Sequence, residues 1–160
     1  MKATGIVRRI DDLGRVVVPK EIRRTLRIRE GDPLEIYTDR EGGIILRKYS
    51  PIGELSQFSK QYAEALAQNT GYIVSITDRD QHIAVAGAGK KDLAKKAISR
   101  QMDTLMNQRE SLLAVKGERK FIPITEDGGE NYTAQVIYPI IAEGDAIGTV
   151  ILTTKDDKVR

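Results

Sequence analysis

The first fifty residues contain fifteen valine, isoleucine and leucine residues, arranged in short segments between turn-forming residues. A module this small leaves much apolar surface exposed, and domains below about 40 residues usually need outside support to fold. The sequence contains no cysteine, so neither a disulfide nor a thiolate metal site can supply that support. Oligomerisation is the remaining means of stabilisation. We therefore expect residues 1–50 to fold only as a dimer.

Turn and strand signals divide this region into five short elements. Gly14 is suited to a turn with positive φ, and Pro19 is suited to the first turn of a helix. In the helix that follows, Ile22 and Leu26 share one face, and basic residues occupy another. The predicted elements are strands Thr4–Ile10 and Arg15–Val18, a helix over Lys20–Arg27, and strands Leu34–Thr38 and Ile44–Tyr49.

The positive charge of the chain is concentrated in the same region. Residues 1–50 carry twelve lysines and arginines against eight acidic residues, whereas residues 51–160 carry fourteen against fifteen. Eight of the basic residues lie between Arg8 and Arg29. A basic segment beside a nearly neutral remainder indicates a nucleic-acid contact surface, because phosphate attracts lysine and arginine. An ordinary solvated face is the alternative.

Residues 51–160 read as a second domain of α+β class. Ser50-Pro51 predicts the start of a helix that Gly71 ends, with an apolar stripe that includes Leu55, Phe58, Tyr62 and Leu66. This helix can pack on its own domain or pair with a second subunit. The other predicted elements are a hairpin of Tyr72–Thr77 and His82–Ala86, a helix over Lys91–Glu110, and strands Lys120–Ile124, Thr133–Ile141 and Ala146–Thr154. Helices combined with consecutive strands predict an antiparallel sheet.

Catalysis and metal binding find little support in the sequence. His82 is the only histidine, it sits beside a turn, and we expect it at the surface. Asp78 and Asp80 are explained by the hairpin turn, and the loop Gly87–Lys91 lacks the spacing of a phosphate-binding motif, although it could rim a pocket. We predict no enzymatic activity, no metal and no cofactor. The chain shows neither a secretory signal nor a long apolar run, so we expect a cytoplasmic protein.

The segment Gly5-Ile-Val-Arg-Arg-Ile-Asp-Asp-Leu-Gly-Arg-Val-Val-Val-Pro-Lys-Glu-Ile-Arg-Arg-Thr-Leu26 closely resembles the AbrB family of transition-state regulators. The later Glu30-Gly-Asp-Pro-Leu-Glu-Ile36 also matches, so the resemblance covers all fifty residues. It implies a mainly-β, dimeric swapped-hairpin barrel and a transcription regulator that binds double-stranded DNA. One departure is Arg27, where many members place a glycine that closes the short helix.

The resemblance also implies which side chains face the DNA. In the family, basic side chains at the positions of Arg8, Arg9, Arg15, Arg23 and Arg24 do so. The residue pattern agrees with this. The first two lie near the end of a predicted strand, the third follows a predicted turn, and the last two lie on the polar face of the predicted helix. Pairing with Asp11, Asp12 or Glu21 is the alternative explanation. Lys2, Arg27 and Arg29 are weaker candidates.

The second domain resembles a GAF domain less distinctively. Tyr138-Pro-Ile-Ile141 and Ala146–Leu152 are similar to the closing hairpin of that fold, whose usual final helix we expect to be missing or truncated at Arg160. The whole chain looks like the sporulation type, with an AbrB-like domain over 1–50 and a GAF-like domain over 51–160. That domain could bind an unknown small molecule, or hold subunits together as a homodimer or homotetramer.

Two other functions stay open. An antitoxin-type autoregulator would use its second region to bind a protein partner, but the tails of such proteins are short, whereas residues 51–160 have the pattern of a folded domain. A single-strand nucleic-acid binder would need aromatic side chains for stacking. Residues 1–50 offer only Tyr37 and Tyr49.

Overall fold

The computed structural model describes residues 5–128 and 131–156. The chain divides into two compact units, Met1–Tyr49 (unit 1) and Ser50–Arg160 (unit 2). No helix in the described residues is long and apolar enough to cross a membrane. The elements of unit 1 are helix α1 (Lys20–Leu26) and strands β1 (Leu34–Thr38) and β2 (Ile44–Lys48). Those of unit 2 are α2 (Ser56–Thr70), β3 (Ile73–Thr77), β4 (His82–Ala86), α3 (Arg100–Gln108), β5 (Leu112–Val115), β6 (Ala134–Ala142) and β7 (Asp145–Thr154).

Unit 1 contains one intact hairpin and one short helix. β1 and β2 pair antiparallel from Leu34 opposite Lys48 to Thr38 opposite Ile44. The Asp39 carboxylate shapes the connection by accepting the backbone N–H groups of Glu41 and Gly43. These strands and the helix agree with the sequence prediction to within a residue.

The two strands predicted before the helix are wrong for the single chain. Residues 5–10 and 15–18 have no regular secondary structure, and Thr4 lies outside the described residues. The turn between them is present, with the Asp11 N–H bonded to the Arg15 carbonyl at 3.0 Å and Gly14 at φ +77°. A strand needs the hydrogen bonds of a neighbouring strand. Within one copy the described residues offer no neighbour to these two segments.

Unit 2 is a five-stranded antiparallel sheet in the order β4-β3-β7-β6-β5, with helices on both faces. Side chains of β3 alternate between the faces. Val74 and Ile76 join a core with Ala63 of α2, whereas Ile73 joins a core with Met102 and Met106 of α3. The predicted α+β class with an antiparallel sheet is confirmed.

The start of unit 2 is held against this sheet. The Ser50 hydroxyl accepts the Gly53 N–H, and a short 3₁₀ turn (Gly53–Leu55) precedes α2, so the helix begins later than Ser50-Pro51 predicts. Ile52 is buried against Gly148, where an added Cβ would lie 2.6 Å from the Ile52 methyl carbon and 2.0 Å from the Thr77 carbonyl oxygen. Gly71 ends α2 at φ +76°, as predicted.

The predicted helix over Lys91–Glu110 is wrong in its first half. A 3₁₀ turn (Lys90–Asp92) is followed by Lys95 at φ +62°, which no α-helix accommodates. The His82 N–H binds the Lys96 carbonyl and the His82 carbonyl accepts the Lys95 N–H, so this segment pairs beside β4. Helix α3 begins only after Ser99, whose hydroxyl accepts the Met102 N–H at 3.0 Å.

The predicted strand Lys120–Ile124 is also wrong, and β5 takes its place at the sheet edge. The segment begins in a turn and ends in a bend, and it pairs with no strand in the described residues. The Gln135 side-chain amide instead binds both the N–H and the carbonyl of Ile122, each at 2.8 Å. A side chain therefore satisfies the backbone groups that a ladder would have satisfied.

Candidate DNA-binding surface

Unit 1 has no core of its own within a single chain. None of its described residues, 5–49, is buried. Large apolar side chains are widely exposed: Val7 by 90%, Leu13 by 70%, Val17 by 69% and Ile36 by 69%. Soluble monomers rarely leave a contiguous apolar surface of this kind uncovered.

The turn that carries Arg15 is stabilised by a single carboxylate. One oxygen of Asp11 accepts the N–H groups of Leu13 (3.0 Å) and Arg15 (2.8 Å), and the other accepts the Nε of Arg15 (2.8 Å). The Arg15 N–H, and then its guanidinium, lower the pKa of Asp11 below its ordinary value. The ion pair fixes the direction of the Arg15 side chain, which is still 70% exposed.

Helix α1 presents its two central arginines to solvent. The Nε of Arg23 donates to the Val18 carbonyl at 3.1 Å, so this side chain also ties the helix to the segment before it. Arg24 is exposed and makes no side-chain hydrogen bond or ion pair with the described residues. Ile22 and Leu26, on the apolar side, are 36% and 53% exposed.

Arg8 and Arg9 are exposed and lie on the segment before the turn, where the described residues offer them no ion pair. The turn reverses the chain between this segment and Arg15. Arg23 reaches Val18, three residues after Arg15. Lys2 lies outside the described residues.

Arg27 ends the helix in the left-handed conformation at φ 55°, the conformation that glycine adopts without strain. Its N–H binds the carbonyls of Arg23 and Arg24. The helix therefore ends one residue before the predicted Arg27. A basic residue outside the predicted set, Arg47, lies 5.9 Å from the Tyr37 ring centre on the hairpin.

Unit 2 contains buried polar side chains that are bonded to one another. His82 is fully buried, so its predicted surface position is wrong. Its Nδ1 lies 2.6 Å from the Ser75 hydroxyl, and its Nε2 lies 2.8 Å from the Ile124 carbonyl. The Thr77 and Thr149 hydroxyls are 2.7 Å apart on the same face of the sheet.

The remaining candidates in unit 2 have structural roles. One Asp78 oxygen accepts the N–H groups of Asp80 and Gln81, which forms the hairpin turn. A cavity of about 410 Å³ is partly lined by the Gly87–Lys91 loop. Lys155 also lines this cavity, and its ammonium group is paired with Asp92 at 2.8 Å. The described ranges contain no cluster of three His, Cys, Asp or Glu side chains that could hold a metal.

Comparison with known proteins extends over both units. The family described as "Stage V sporulation protein T C-terminal, transcription factor" matches residues 54–160. The family described as "Antidote-toxin recognition MazE, bacterial antitoxin" matches residues 7–54. Stage V sporulation protein T of Bacillus subtilis (strain 168) is 55% identical over 156 residues, which cover 98% of this chain and 86% of that protein. This chain belongs to the stage V sporulation protein T family.

Two solved structures are similar to parts of this chain. The N-terminal DNA recognition domain of the Bacillus subtilis transition-state regulator AbrB is 67% identical, covering 32% of this chain and 94% of that chain, with a TM-score of 0.27. The A. aeolicus nlh2 GAF domain in an inactive state is 16% identical, covering 70% and 73%, with a TM-score of 0.48.

The family assignment and the relatedness to AbrB confirm the resemblance to AbrB-type regulators. The protein is a transcription regulator of the sporulation type.

Proposed function

We propose that residues 1–50 bind double-stranded DNA as an intertwined dimer, and that residues 51–160 form a second domain that assembles subunits or senses a ligand. The observation that carries this proposal is a basic unit without a buried residue in its described part, in which all five predicted DNA-contact arginines are exposed. The exposed apolar side chains are the reason to propose a dimer, and the exposed guanidinium groups are the reason to propose DNA binding. We also propose that the protein acts in the cytoplasm, because bacterial transcription takes place there.

The intertwined dimer explains why the two N-terminal segments lack strand partners. In a second copy, the same segments have the same unpaired backbone groups and the same exposed side chains, such as Val7 and Val17. Interleaving the copies pairs those groups and covers those side chains together. Burying apolar surface contributes about 25 cal/mol per Å², so a shared core is the dominant gain available to a unit this small.

Arg8, Arg9, Arg15, Arg23 and Arg24 are the proposed DNA contacts. Guanidinium is planar and carries a fork of donors that matches phosphate oxygens and the guanine edge. In Arg15 and Arg23 only the Nε is bonded in the described structure, which leaves the terminal nitrogens for DNA. Arg24 has its whole guanidinium available.

The test of this surface is Arg24→Ala, measured by DNA binding with the specific site and with a scrambled one. We expect loss of specific binding with an unchanged melting temperature, because truncating an exposed side chain leaves no cavity. Arg100→Ala, at an exposed arginine of α3, is the matched control and should leave binding unchanged.

Salt dependence tests the phosphate contacts separately. Each neutralised phosphate adds about −0.9 to the slope of log K against log salt, so five arginines predict a steep slope. A flat slope, or a collapse of the melting temperature with Arg24→Ala, would refute the proposed role of this surface.

The dimer has its own test. The fragment 1–50 should sediment as a dimer at every concentration at which circular dichroism shows it folded. A folded monomer of 50 residues would contradict the intertwined arrangement. On dilution, the fragment should therefore unfold at the same concentration at which the dimer dissociates.

The antitoxin function is favoured by one finding, the match of residues 7–54 to the MazE family. That match covers only the N-terminal unit, whereas the relative among transcription factors covers nearly the whole chain. The folded sheet of unit 2 also differs from the short tail expected of a toxin-binding segment. We therefore place the antitoxin function second. Co-expression with a toxin would be its test.

A further inference from the structure

Strand β5 leaves one edge of the unit 2 sheet open. It is the last strand in the order β4-β3-β7-β6-β5, and no strand of the described residues pairs with its outer side. Its sequence, Leu112-Leu-Ala-Val115, contains neither charge nor proline. Leu113 is 66% exposed and Val115 is 41% exposed. Natural edges are usually blocked by charged residues, proline or covering loops, so an unblocked apolar edge indicates a strand that pairs with another chain.

The ladder with β6 determines which backbone groups face that open edge. The Lys116 N–H binds the Thr133 carbonyl at 2.8 Å, just beyond the paired strands. Hydrogen-bonded and non-bonded positions alternate along an antiparallel pair. Ala114 and Leu112 therefore turn their backbone groups towards β6. Leu113, and with it Ser111 and Val115, turns its N–H and carbonyl outward.

We propose that β5 pairs antiparallel with β5 of a second copy of this chain, with Leu113 on the twofold axis. Both members of a hydrogen-bonded pair must face outward, which excludes registers centred between two residues. Of the remaining registers, only the one centred on Leu113 pairs all three outward-facing residues of this edge with one another. It bonds Leu113 to Leu113, and Ser111 to Val115, across the axis. The Val115 carbonyl also accepts the Glu118 N–H at 3.1 Å, and its second lone pair serves the new strand.

The charges that flank β5 complement one another in this register. Glu110 precedes the strand and Lys116 follows it, and both side chains are exposed. The Leu113-centred pairing places Glu110 of each copy opposite Lys116 of the other. One Glu110–Lys116 ion pair therefore closes each end of the junction. A parallel arrangement would instead place Glu110 opposite Glu110 and Lys116 opposite Lys116.

The pairing also covers the apolar side chains at the edge. Leu113 stands opposite Val136 of β6, which is 38% exposed on the same face. In the pair, the two Leu113 side chains meet over the axis, with Val136 behind each. Cross-strand apolar pairs of this kind contribute about 0.2–1 kcal/mol each in sheets. The result is a continuous ten-stranded sheet through two copies of unit 2.

A single cysteine tests this register in the full chain, which has no cysteine of its own. Leu113→Cys should form a disulfide with its own copy under mild oxidation, because hydrogen-bonded partners have Cα atoms about 5.5 Å apart and disulfides span about 4.4–6.8 Å. Val115→Cys is the matched control. Its two copies would lie about four residues apart along the strand, roughly 14 Å, which is too far to bridge.

We expect at least a tenfold higher yield of covalent dimer from Leu113→Cys than from Val115→Cys on a non-reducing gel. Glu110→Lys added to Leu113→Cys should lower that yield several-fold, and adding Lys116→Glu as well should restore it. Equal yields from the two cysteines, no cross-link from Leu113→Cys, or failure of the charge swap to restore the yield would each overturn the proposal. The DNA-binding proposal for residues 1–50 stands independently of this result.

Discussion

At the scale of single residues, Arg27 holds a backbone conformation that its side chain disfavours. It ends α1 at φ 55°, where an L residue costs roughly 1–2 kcal/mol, and glycine escapes that cost. Glycine loses about 0.5–1 kcal/mol through the greater freedom of the unfolded chain. We expect Arg27→Gly to stabilise the folded protein by about 0.5–1 kcal/mol, which thermal unfolding at a fixed protein concentration would show as a rise of a few degrees.

Arg27→Ala separates backbone strain from charge. It removes the guanidinium but keeps the Cβ, so we expect no comparable stabilisation. The Lys48 ammonium bonds to the Arg27 carbonyl, a backbone group that both variants retain. Equal stabilisation by alanine and glycine would show that charge repulsion, rather than the left-handed conformation, is responsible. The sequence revealed the missing glycine, but only the backbone angle shows its consequence.

His82 makes a second residue-scale prediction. The Ile124 carbonyl accepts a hydrogen bond, so Nε2 carries the proton and Nδ1 accepts from the Ser75 hydroxyl. His82→Phe keeps the ring size but leaves both partners buried without His82. We expect a loss of about 1–3 kcal/mol in the free energy of unfolding, measured by urea denaturation.

The control for His82→Phe is Gln81→Ala, at the exposed neighbouring residue. It should leave the unfolding midpoint within experimental error. A stable His82→Phe protein would mean that water or a rearranged loop replaces the two hydrogen bonds. In that case the His82–Ile124 hydrogen bond would not be what holds the segment containing Ile124 against β4.

At the scale of elements, local signals predicted the hairpins well. β3 and β4 meet around Asp78, as the turn residues indicate, and β6 and β7 are joined at Gly144. His82 was placed wrongly because its position beside the turn suggested exposure, whereas the register of β3 and β4 shifts next to it, between Ile76 and Thr77. Such a bulge redirects side chains to the other face, and no local pattern announces it.

The errors in α3 and β5 have a common physical cause. Apolar spacing over Lys91–Glu110 resembles a helix because Leu93, Ile98 and Met102 are all buried in one core. The first half of this segment is instead held in place by backbone hydrogen bonds to His82 of β4, and a local sequence pattern does not reveal such bonds. β5 has only four residues, too few for a clear alternation, whereas 120–124 has the composition of a strand but bonds to the Gln135 side chain.

At the scale of the whole molecule, the sequence predicted the family more securely than it predicted the elements. Fifteen branched apolar residues in fifty cannot be covered by one short chain, whatever its secondary structure. The arginines of the candidate surface came from the family motif and agreed with local turn and helix signals. In the proposed dimer, their relative placement on DNA would depend on the second copy, which no single sequence positions.

The helix that opens unit 2 provides the last prediction. α2 buries Ser59 and Ala63 against the sheet but leaves Phe58 and Tyr62 exposed by 64% and 47%, and Leu55, just before the helix, is 57% exposed. The rings of Phe58 and Tyr62 stack with centres 6.2 Å apart. This part of the predicted stripe therefore does not pack on its own domain, and pairing with α2 of another subunit would cover it.

We expect such pairing to join two DNA-binding dimers into one particle, which makes the second DNA contact intramolecular. Linkage of this kind raises avidity by about 10²–10⁴ without any new contact. Phe58→Ser with Tyr62→Ser should reduce the mass in sedimentation and weaken DNA binding as far as deletion of residues 51–160 does, while preference for the same site is kept. Lys60→Ser, on an exposed position of the same helix, should change neither. If the unaltered protein has the mass of a plain dimer and the affinity of the deleted form, unit 2 does not couple DNA-binding dimers, and sensing would be the remaining role for it.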